Sequence, residues 1–428
     1  MGKARRAGAR IVRIVIMSIG TQGDVRPFVA LGVGLKALGH DVTIATGKIC
    51  EPLVVRHGLG FAPLTADFLE IMAKDPRAMQ KGLNPFALVK TVRGHLKAMA
   101  KDWAEQGKAA VSGADLVIGN GMVSLLAASL AELEGARCVE SQLQPVTPCP
   151  DIPPMMLKPG RKRLPGVVNL ALYQLMREVT WLMLGAAYSQ LRSDLRLKPY
   201  PWYGPYFGAE SKSRKRLLAY SPNLLQPSPY WPDNVKVVGS LQLKEAEQWT
   251  PPTQLTDFLA AGAPPIYVGF GSMKADDQAE FTKKILQGIK RTGQRAILAT
   301  GWGGLAAEND DDLLVIESAP HDWLFPRVSM AIHHGGAGTT AAAARAGIPS
   351  IVVPFFGDQP FWAWCLEQAG AAPHALNRNK FSISKLEDTI YAALHPEMRQ
   401  QASQLGKLMT EEDGVTTAIE QLKAWNYV

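Results

Sequence analysis

Short runs of β-branched and other apolar residues alternate with helix-forming segments along most of this 428-residue sequence. Residues 11–17, 41–46 and 115–120 are the first such runs, and each has the length and composition of a buried strand. Parallel strands need long crossover connections, which are usually helices. The alternation therefore predicts an α/β fold in which helices cover both faces of a doubly wound parallel sheet.

A polar stretch that contains a Pro-Pro pair interrupts this alternation, which then restarts. A chain of this length exceeds one ordinary core and suits two domains of about 200 residues each. We predict an N-terminal domain over 1–240, a linker over 241–254 and a C-terminal domain over 255–412. A last helix within 413–428 is expected to return to the N-terminal domain.

The N-terminus imitates a signal peptide, with a basic start followed by an apolar run. Arg13 interrupts that run, and a glycine-rich polar turn takes the place of a cleavage site, so a first strand is the better interpretation. No stretch reaches the ~18 apolar residues that a membrane span needs. The four cysteines lack CxxC spacing and indicate free thiols in a reducing compartment. We expect a cytoplasmic protein.

Basic residues are concentrated in positions 1–240, where Lys and Arg outnumber Asp and Glu by 31 to 17. In the remainder the numbers are 15 and 21, and the net charge of the chain is +8. The basic clusters, at 3–13, 158–163 and 212–216, are short, so solvated loops are the simpler interpretation. The alternative is peripheral contact with an anionic membrane surface, at the inner face of the membrane. We expect no nucleic-acid partner, and a monomer or weak dimer.

The stretch HHGGAGTTAAAARAGIPSIVVPFFGDQP, residues 333–360, is typical of an anion site. A glycine-rich turn here joins a predicted strand to a predicted helix, so backbone N–H groups can approach an anion at the carboxyl edge of the sheet. The helix dipole would add about half a positive charge. Thr339, Thr340 and His334 offer further donors. Asp358 and Gln359 follow the next strand and suit the vicinal hydroxyls of a sugar.

A metal site is a weaker interpretation of the same region. His333 and His334 are adjacent on a strand, so their side chains are expected to point to opposite faces. The acidic run at 309–312 lacks an apolar setting and is interpreted as a solvated loop. The sequence therefore predicts no metal site.

Residues 333–360 resemble the donor-binding signature of nucleotide-sugar glycosyltransferases of the GT-B fold. The resemblance is to the branch of sterol glucosyltransferases and of glycopeptide or macrolide glycosyltransferases. GFGSM at 269–273, TGWGG at 300–304, APHDWLFPRV at 319–328 and GTQGDVRPFVALG, which begins at Gly20, support it. It implies two Rossmann-like domains that face each other across a cleft.

The resemblance also implies a role for individual residues. It assigns the donor diphosphate to Gly271, Ser272, His334, Gly336, Gly338, Thr339 and Thr340. It assigns the transferred sugar to Asp358 and Gln359. It assigns the nucleobase and ribose to Ser318, Ala319, His321 and Trp302. The N-terminal loop near the donor would be Gly20, Thr21, Gln22 and Gly23.

Two positions depart from the family pattern. Plant relatives carry a tryptophan that stacks on uracil where this chain has Ser318, which leaves Trp302 or Trp323 as the stacking residue. Related sequences often carry arginine where this chain has Gln22, so one phosphate contact is expected to be missing.

Asp24 is the candidate general base, because it follows the first strand and matches the catalytic aspartate of the resembling sterol and glycopeptide enzymes. A simpler role as the N-cap of a helix containing Pro27 is compatible with catalysis. A histidine base is disfavoured, since Ser18 and Ile19 occupy the region where plant glucosyltransferases place one. His95 is not favoured either.

The resemblance implies an inverting transferase that moves a hexose, for which glucose from UDP-glucose is the first expectation. The nucleotide sugar is a co-substrate, and neither a cofactor nor a metal is expected. The apolar helix at 167–192 fits a hydrophobic acceptor such as a sterol, hopanoid, lipid or polyketide aglycone, although burial of its side chains in the core is the simpler interpretation. Alternatives are a dTDP-deoxysugar transferase, a GT-B epimerase and a non-catalytic nucleotide-sugar sensor. An oxidoreductase is disfavoured, since no GxGxxG follows the first strand.

Overall fold

The computed structural model describes residues 10–66, 85–155, 159–160, 164–206, 208–247, 249–271, 278–301 and 307–428. The predicted basic cluster at 158–163 and the segment at 3–13 lie largely outside the described residues, as do Ser272 and Trp302.

The first sheet has seven strands in the order β3-β2-β1-β4-β5-β6-β7, and every neighbouring pair is parallel. Its strands are β1 Arg13–Met17, β2 Asp41–Thr46, β3 Gly60–Pro63, β4 Leu116–Gly119, β5 Arg137–Gln142, β6 Lys215–Leu218 and β7 Val235–Val237. The accompanying helices are α1 Gln22–Ala37, α2 Glu51–Arg56, α3 Pro85–Val111, α4 Ser124–Glu134, α5 Gly166–Asp194 and α6 Ala209–Ser213.

The second sheet has five parallel strands in the order β10-β9-β8-β11-β12. They are β8 Ile266–Gly269, β9 Ala296–Ala299, β10 Leu313–Ile316, β11 Met330–His333 and β12 Ser350–Val352. The helices are α7 Thr253–Ala260, α8 Gln278–Arg291, α9 His321–Leu324, α10 Ala337–Arg345, α11 Gln359–Gln368, α12 Ile383–Leu394, α13 Pro396–Thr410 and α14 Gly414–Ala424. The predicted doubly wound α/β class is confirmed.

Strand β1 shows why the sheet is covered on both faces. Ile14 and Ile16 pack into one core with helices α1 and α14, whereas Val15 and Met17 pack into a second core with α3, α4 and α5. All four side chains are fully buried. Side chains alternate between faces along a strand, so a continuous apolar run requires helices on both sides.

The sequence predicts a helix from about Pro27 to Leu38, and the start of this helix was wrong. Helix α1 begins at Gln22 rather than near Pro27, because Thr21 precedes it as N-cap, and Pro27 lies inside the helix. Residues 396–424 form two helices, since the carboxylate of Asp413 accepts the N–H of Thr416 at 3.0 Å and caps the start of α14.

The segment between the two sheets, which includes Glu245 and Ala246, forms ion pairs and hydrogen bonds with residues of both domains. Glu245 forms ion pairs with Arg26 of α1 and Arg56 of α2. The backbone N–H groups of Glu245 and Ala246 both donate to Oδ2 of Asp322 at 2.9 Å. These contacts hold α1 beside α9, so that the carboxyl edges of both sheets face the same cleft.

Helix α14 packs on α1 of the first domain, where Gly34 leaves room for it. A Cβ on Gly34 would lie 2.5 Å from Cγ1 of Val415 and 3.0 Å from Cδ1 of Ile419. Replacing Gly34 with alanine is therefore expected to push α14 outward and to lower the free energy of unfolding by about 1–3 kcal/mol. Thermal unfolding measures this change. Gly94→Ala is the control, since a Cβ there meets nothing within 4 Å; equal melting temperatures for the two variants would contradict the prediction.

Candidate active site

The carboxylate of Asp24 lies at the N-terminus of α1, at the switch point where crossovers from β1 and β4 leave to opposite sides of the sheet. Its Oδ2 accepts the backbone N–H of Thr21 at 2.8 Å and the hydroxyl of Thr21 at 3.1 Å. Gly20 has φ +148°, and a Cβ at this position would overlap the carboxylate of Asp24. The backbone therefore fixes the direction of this carboxylate.

A buried hydrogen-bond chain holds the main chain of Asp24 from the neighbouring strand. Nδ2 of Asn120, which follows β4, donates to Oγ of Ser18 at 3.0 Å. The Ser18 hydroxyl in turn donates to the backbone carbonyl of Asp24 at 3.0 Å. Both side chains are buried. The loop that carries Asp24 is thus anchored to two strands.

Burial raises the pKa of Asp24 from 3.8 to about 6, against the opposing effect of the two hydrogen bonds from Thr21. The negative charge of Asp358, across the cleft, raises it further. At neutral pH most of the carboxylate is ionised, and its proton affinity is high for an aspartate. A pKa near the working pH is what a general base requires.

The N-terminus of α10 lies at the second switch point, between β8 and β11. Its N-cap is Gly336, so no side chain caps the first backbone amides of the helix. The ring of His334 lies alongside: a Cβ on Gly336 would lie 2.5 Å from its Nε2, and a Cβ on Gly271 3.5 Å from its Cε1. The free backbone amides of α10 and the ring N–H of His334 together form a set of hydrogen-bond donors, called the mouth of α10, that suits an anion.

Both histidines of this turn are uncharged at neutral pH. Burial lowers the pKa of His334 to about 4 and that of His333 to about 3, the latter with help from neighbouring His334. Nδ1 of His333 accepts the N–H of Gly335 at 3.0 Å, so His333 shapes the turn. His334 keeps one ring N–H that can donate to an oxygen atom.

The structure separates the two threonines of α10. Thr339 is half-buried beside the exposed Gly338 at the mouth of the helix. Thr340 is fully buried, and its Oγ1 has no hydrogen-bond partner in the described part of the chain. This placement does not favour the predicted contact between Thr340 and a diphosphate.

Asp358 and Gln359 lie beyond β12, at the same edge of the sheet. Oδ2 of Asp358 accepts Nε1 of Trp362 at 2.9 Å and, from the first domain, Nε2 of Gln144 at 3.0 Å. Burial raises the pKa of Asp358. Oε1 of Gln359 accepts the backbone N–H groups of Phe355 and Phe356 at 2.7 and 3.1 Å. Gln359 therefore braces the turn next to Asp358.

The residues predicted near a nucleoside lie after β10. Ser318 is exposed, Ala319 is half-buried, and the His321 ring stacks on Phe325 with centroids 4.3 Å apart. Burial, with the nearby charge of Arg26, lowers the pKa of His321 to about 4. The ring of Trp323 packs edge-on against Trp249, with centroids 5.1 Å apart. Of the N-terminal loop, Gln22 is half-buried and Gly23 is exposed.

Within the described ranges, no group of three or more His, Cys, Asp or Glu side chains is arranged to hold a metal ion. Over the same ranges, no helix combines the length and apolar character that crossing a membrane requires.

Two family models match parts of the chain. The glycosyltransferase family 28 N-terminal domain matches residues 14–119, and the erythromycin biosynthesis protein CIII-like C-terminal domain matches residues 304–423. Two sterol 3-beta-glucosyltransferases of Arabidopsis thaliana are 33% and 32% identical to the chain, each over 96% of it. The chain belongs to the sterol glucosyltransferase family. It spans 67% and 65% of the length of these two relatives.

Solved structures place the chain in the GT-B fold. The glycosyltransferase of kitacinnamycin superposes with a TM-score of 0.69 at 18% identity, over 97% of this chain and 99% of that one. The glycosyltransferase VinC, in complex with dTDP, gives 0.62 at 16% identity, over 97% and 100%. The predicted GT-B architecture is confirmed.

Three polar residues near the site were not predicted from the sequence. Asn120, Gln144 and Ser18 all lie at carboxyl ends of strands in the first sheet; Asn120 and Ser18 are buried behind Asp24, and Gln144 reaches Asp358. The available signal was their position: polar side chains directly after buried strands β1, β4 and β5. The roles of the predicted site residues stay predictions.

Proposed function

We propose that the protein transfers a hexose, glucose in the first instance, from a nucleoside diphosphate sugar to a hydroxyl of a sterol-like hydrophobic acceptor, with inversion. The observation that carries this proposal is the pairing of two features across one cleft. On one side is a carboxylate with a pKa of about 6, Asp24. On the other is the uncapped N-terminus of α10 with Asp358 beside it. The names of the relatives support the acceptor class.

The proposed step is a single displacement at the anomeric carbon. The acceptor oxygen attacks this carbon while its proton passes to Asp24. The bond to the diphosphate oxygen breaks, and its electron pair leaves with the nucleoside diphosphate. Backbone amides of α10 and the N–H of His334 would stabilise the developing charge. An α-linked donor thus gives a β-linked product.

We propose further that the transfer needs no metal ion. The helix dipole and the donors around Gly336 can stabilise a leaving diphosphate without one. Full activity after treatment with EDTA and gel filtration is the expected result, and dependence on added Mg²⁺ or Mn²⁺ would contradict it.

The test of the function has two stages. Thermal shifts with UDP-glucose, other UDP-hexoses and dTDP-sugars identify the donor, and the largest stabilisation is expected with UDP-glucose. Incubation with sterols, hopanoids and polyketide aglycones then follows, with mass spectrometry and NMR of the anomeric carbon. A β-glycoside is expected. Binding without turnover on any acceptor would favour the sensor alternative, and an α-glycoside would exclude the inverting step.

We also propose peripheral contact with an anionic membrane, through an apolar face on α5 and the loop that follows it. Large apolar side chains are exposed on this helix and loop: Val167 (76%), Val168, Leu170, Leu175, Val179, Leu182 and Trp202 (89%). Nε1 of Trp181 donates to the carbonyl of Trp202 at 2.9 Å and holds the loop on the helix. Several large apolar side chains exposed along one helix are typical of an interaction site.

The double substitution Leu182→Ser with Trp202→Ser tests this contact. Vesicles of phosphatidylcholine and phosphatidylserine are expected to retain this variant at least about tenfold less than the wild type, because two large side chains no longer enter the lipid. The matched control is Leu408→Ser with Tyr230→Ser, since Leu182 and Leu408 are both 51% exposed. Equal retention of both variants would contradict the assignment of this face.

A further inference from the structure

Gln144 is an N-terminal-domain residue that contacts the proposed sugar-binding carboxylate directly. It lies two residues beyond β5, and its Nε2 donates to Oδ2 of Asp358 at 3.0 Å. The same oxygen accepts Nε1 of Trp362 at 2.9 Å. One donor thus comes from each domain, and both converge on a single carboxylate oxygen.

The second carboxylate oxygen of Asp358 remains able to accept hydrogen bonds. Among the described residues, no other side chain donates to this carboxylate, and the remaining donor is the backbone N–H of Asp358 itself. A carboxylate oxygen accepts about two hydrogen bonds, so two donors saturate Oδ2 and Oδ1 keeps its capacity. Two fixed contacts on one oxygen also set the plane of the carboxylate. The direction in which Oδ1 faces the cleft therefore depends on Gln144 as well as on Trp362.

The surroundings of this contact join the two domains. The rings of Tyr220, beyond β6, and Trp362, on α11, lie with centroids 6.1 Å apart. Both belong to one buried cluster that includes Cys149 and Tyr173 of the first domain. Gln144 and Asp358 belong to different domains, so their hydrogen bond depends on how the two domains are placed relative to each other.

We infer that Gln144 is a positioning residue for recognition of the transferred sugar: it orients Asp358 from across the cleft, so that the sugar site is complete only in the closed arrangement. This inference rests on the proposed function. Hydrogen bonds from Gln144 and Trp362 also oppose the effect of burial on the pKa of Asp358. They thereby favour the ionised carboxylate, which accepts hydrogen bonds from sugar hydroxyls.

Calorimetric titration of UDP-glucose and of UDP into wild type and Gln144→Ala tests the inference. The variant is expected to bind UDP-glucose about tenfold or more weakly, since a hydrogen bond to a charged group is lost. Its affinity for UDP, which lacks the sugar, is expected to change by less than about twofold. Equal losses for both ligands would mean a general effect on closure or folding and would overturn the inference, as would no loss for either.

Two further variants sharpen the test. Gln190→Ala removes a similar contact, Nε2 to Oδ1 of Asp194 at 2.8 Å, on the surface of α5, and is expected to bind both ligands like wild type. The substitution Gln144→Glu places a second carboxylate next to Asp358. Its preference for UDP-glucose over UDP is expected to be lost at pH 8 and partly regained at pH 5.5, when a protonated Glu can donate. Asp24 also titrates between these two pH values, in every variant. The preference of Gln144→Glu is therefore compared with that of Gln144→Ala at the same pH.

Failure of the inference is distinguishable from failure of the proposed function. If wild-type protein binds neither UDP-glucose nor UDP, the donor proposal itself fails. If wild type prefers UDP-glucose and Gln144→Ala keeps the same preference, only the role of Gln144 is wrong.

Discussion

Asp24→Asn is expected to lower kcat by about 10²–10⁴-fold while leaving the affinity for the nucleotide sugar nearly unchanged. Asparagine can still accept the N–H of Thr21, so the loop keeps its shape, but the amide cannot take the proton of the acceptor hydroxyl. Single-turnover rates and calorimetric titration separate the two effects. Asp257→Asn, at an exposed position on α7, is the control and is expected to behave like wild type.

The pH dependence of kcat/KM of the wild type provides an independent measure of the pKa of Asp24. Because the pKa of Asp24 is about 6, kcat/KM is expected to fall as the pH drops through 6 and to level off above 7. The folded state holds this proton more tightly than the unfolded state, in which the pKa is 3.8. Stability contributed by this group therefore falls as pH rises from about 4 to 6.

It follows that Asp24→Asn removes a carboxylate that is unfavourably buried at neutral pH. The variant is expected to melt at the same temperature as wild type or higher, and to lose most of its activity nonetheless. A variant that loses activity because it unfolds would contradict the catalytic assignment.

Gly336→Ala is expected to weaken binding of the nucleotide sugar by about 10–100-fold. The new Cβ would lie 2.5 Å from Nε2 of His334. Since that atom is the end of a side chain, the ring can rotate away, and the fold is expected to survive. The mouth of α10 then loses the imidazole N–H and gains a methyl group where the anion is proposed to lie. Calorimetry with UDP-glucose measures the loss, and circular dichroism checks the fold.

A double-mutant cycle shows whether Gly336→Ala weakens binding by displacing His334 or by direct steric blocking. If Gly336→Ala acts by displacing His334, combining it with His334→Ala is expected to be no worse than the more damaging single variant. Additive losses would mean that the methyl group itself blocks the anion. Wild-type affinity in Gly336→Ala would remove α10 from the proposed donor site.

Much of the fold could be predicted because local patterns carry it. The buried run that ends at Met17 and the alternation after it indicated parallel strands, and the structure confirms them. The start of α1 was misjudged, because proline is common at a first helical position and Pro27 drew the boundary there. Thr21 and Asp24 had the better capping spacing.

The glycine-rich turn at 333–340 could be predicted as an anion site from the sequence, because a turn of this kind between a strand and a helix is a local feature. The candidate base Asp24 could be predicted as well, because an acidic residue after a first strand is also a local feature. Only the tertiary structure decided which groups face each other and how they titrate. Two sets of hydrogen bonds join distant segments of the chain: Gln144 with Asp358, and Asn120 through Ser18 to Asp24. The burial of Thr340 likewise depends on atoms from distant segments. Such contacts depend on crossover connections and on closure of two domains. The pKa of Asp24 likewise depends on solvent excluded by atoms from several of these segments, which no short stretch of sequence contains.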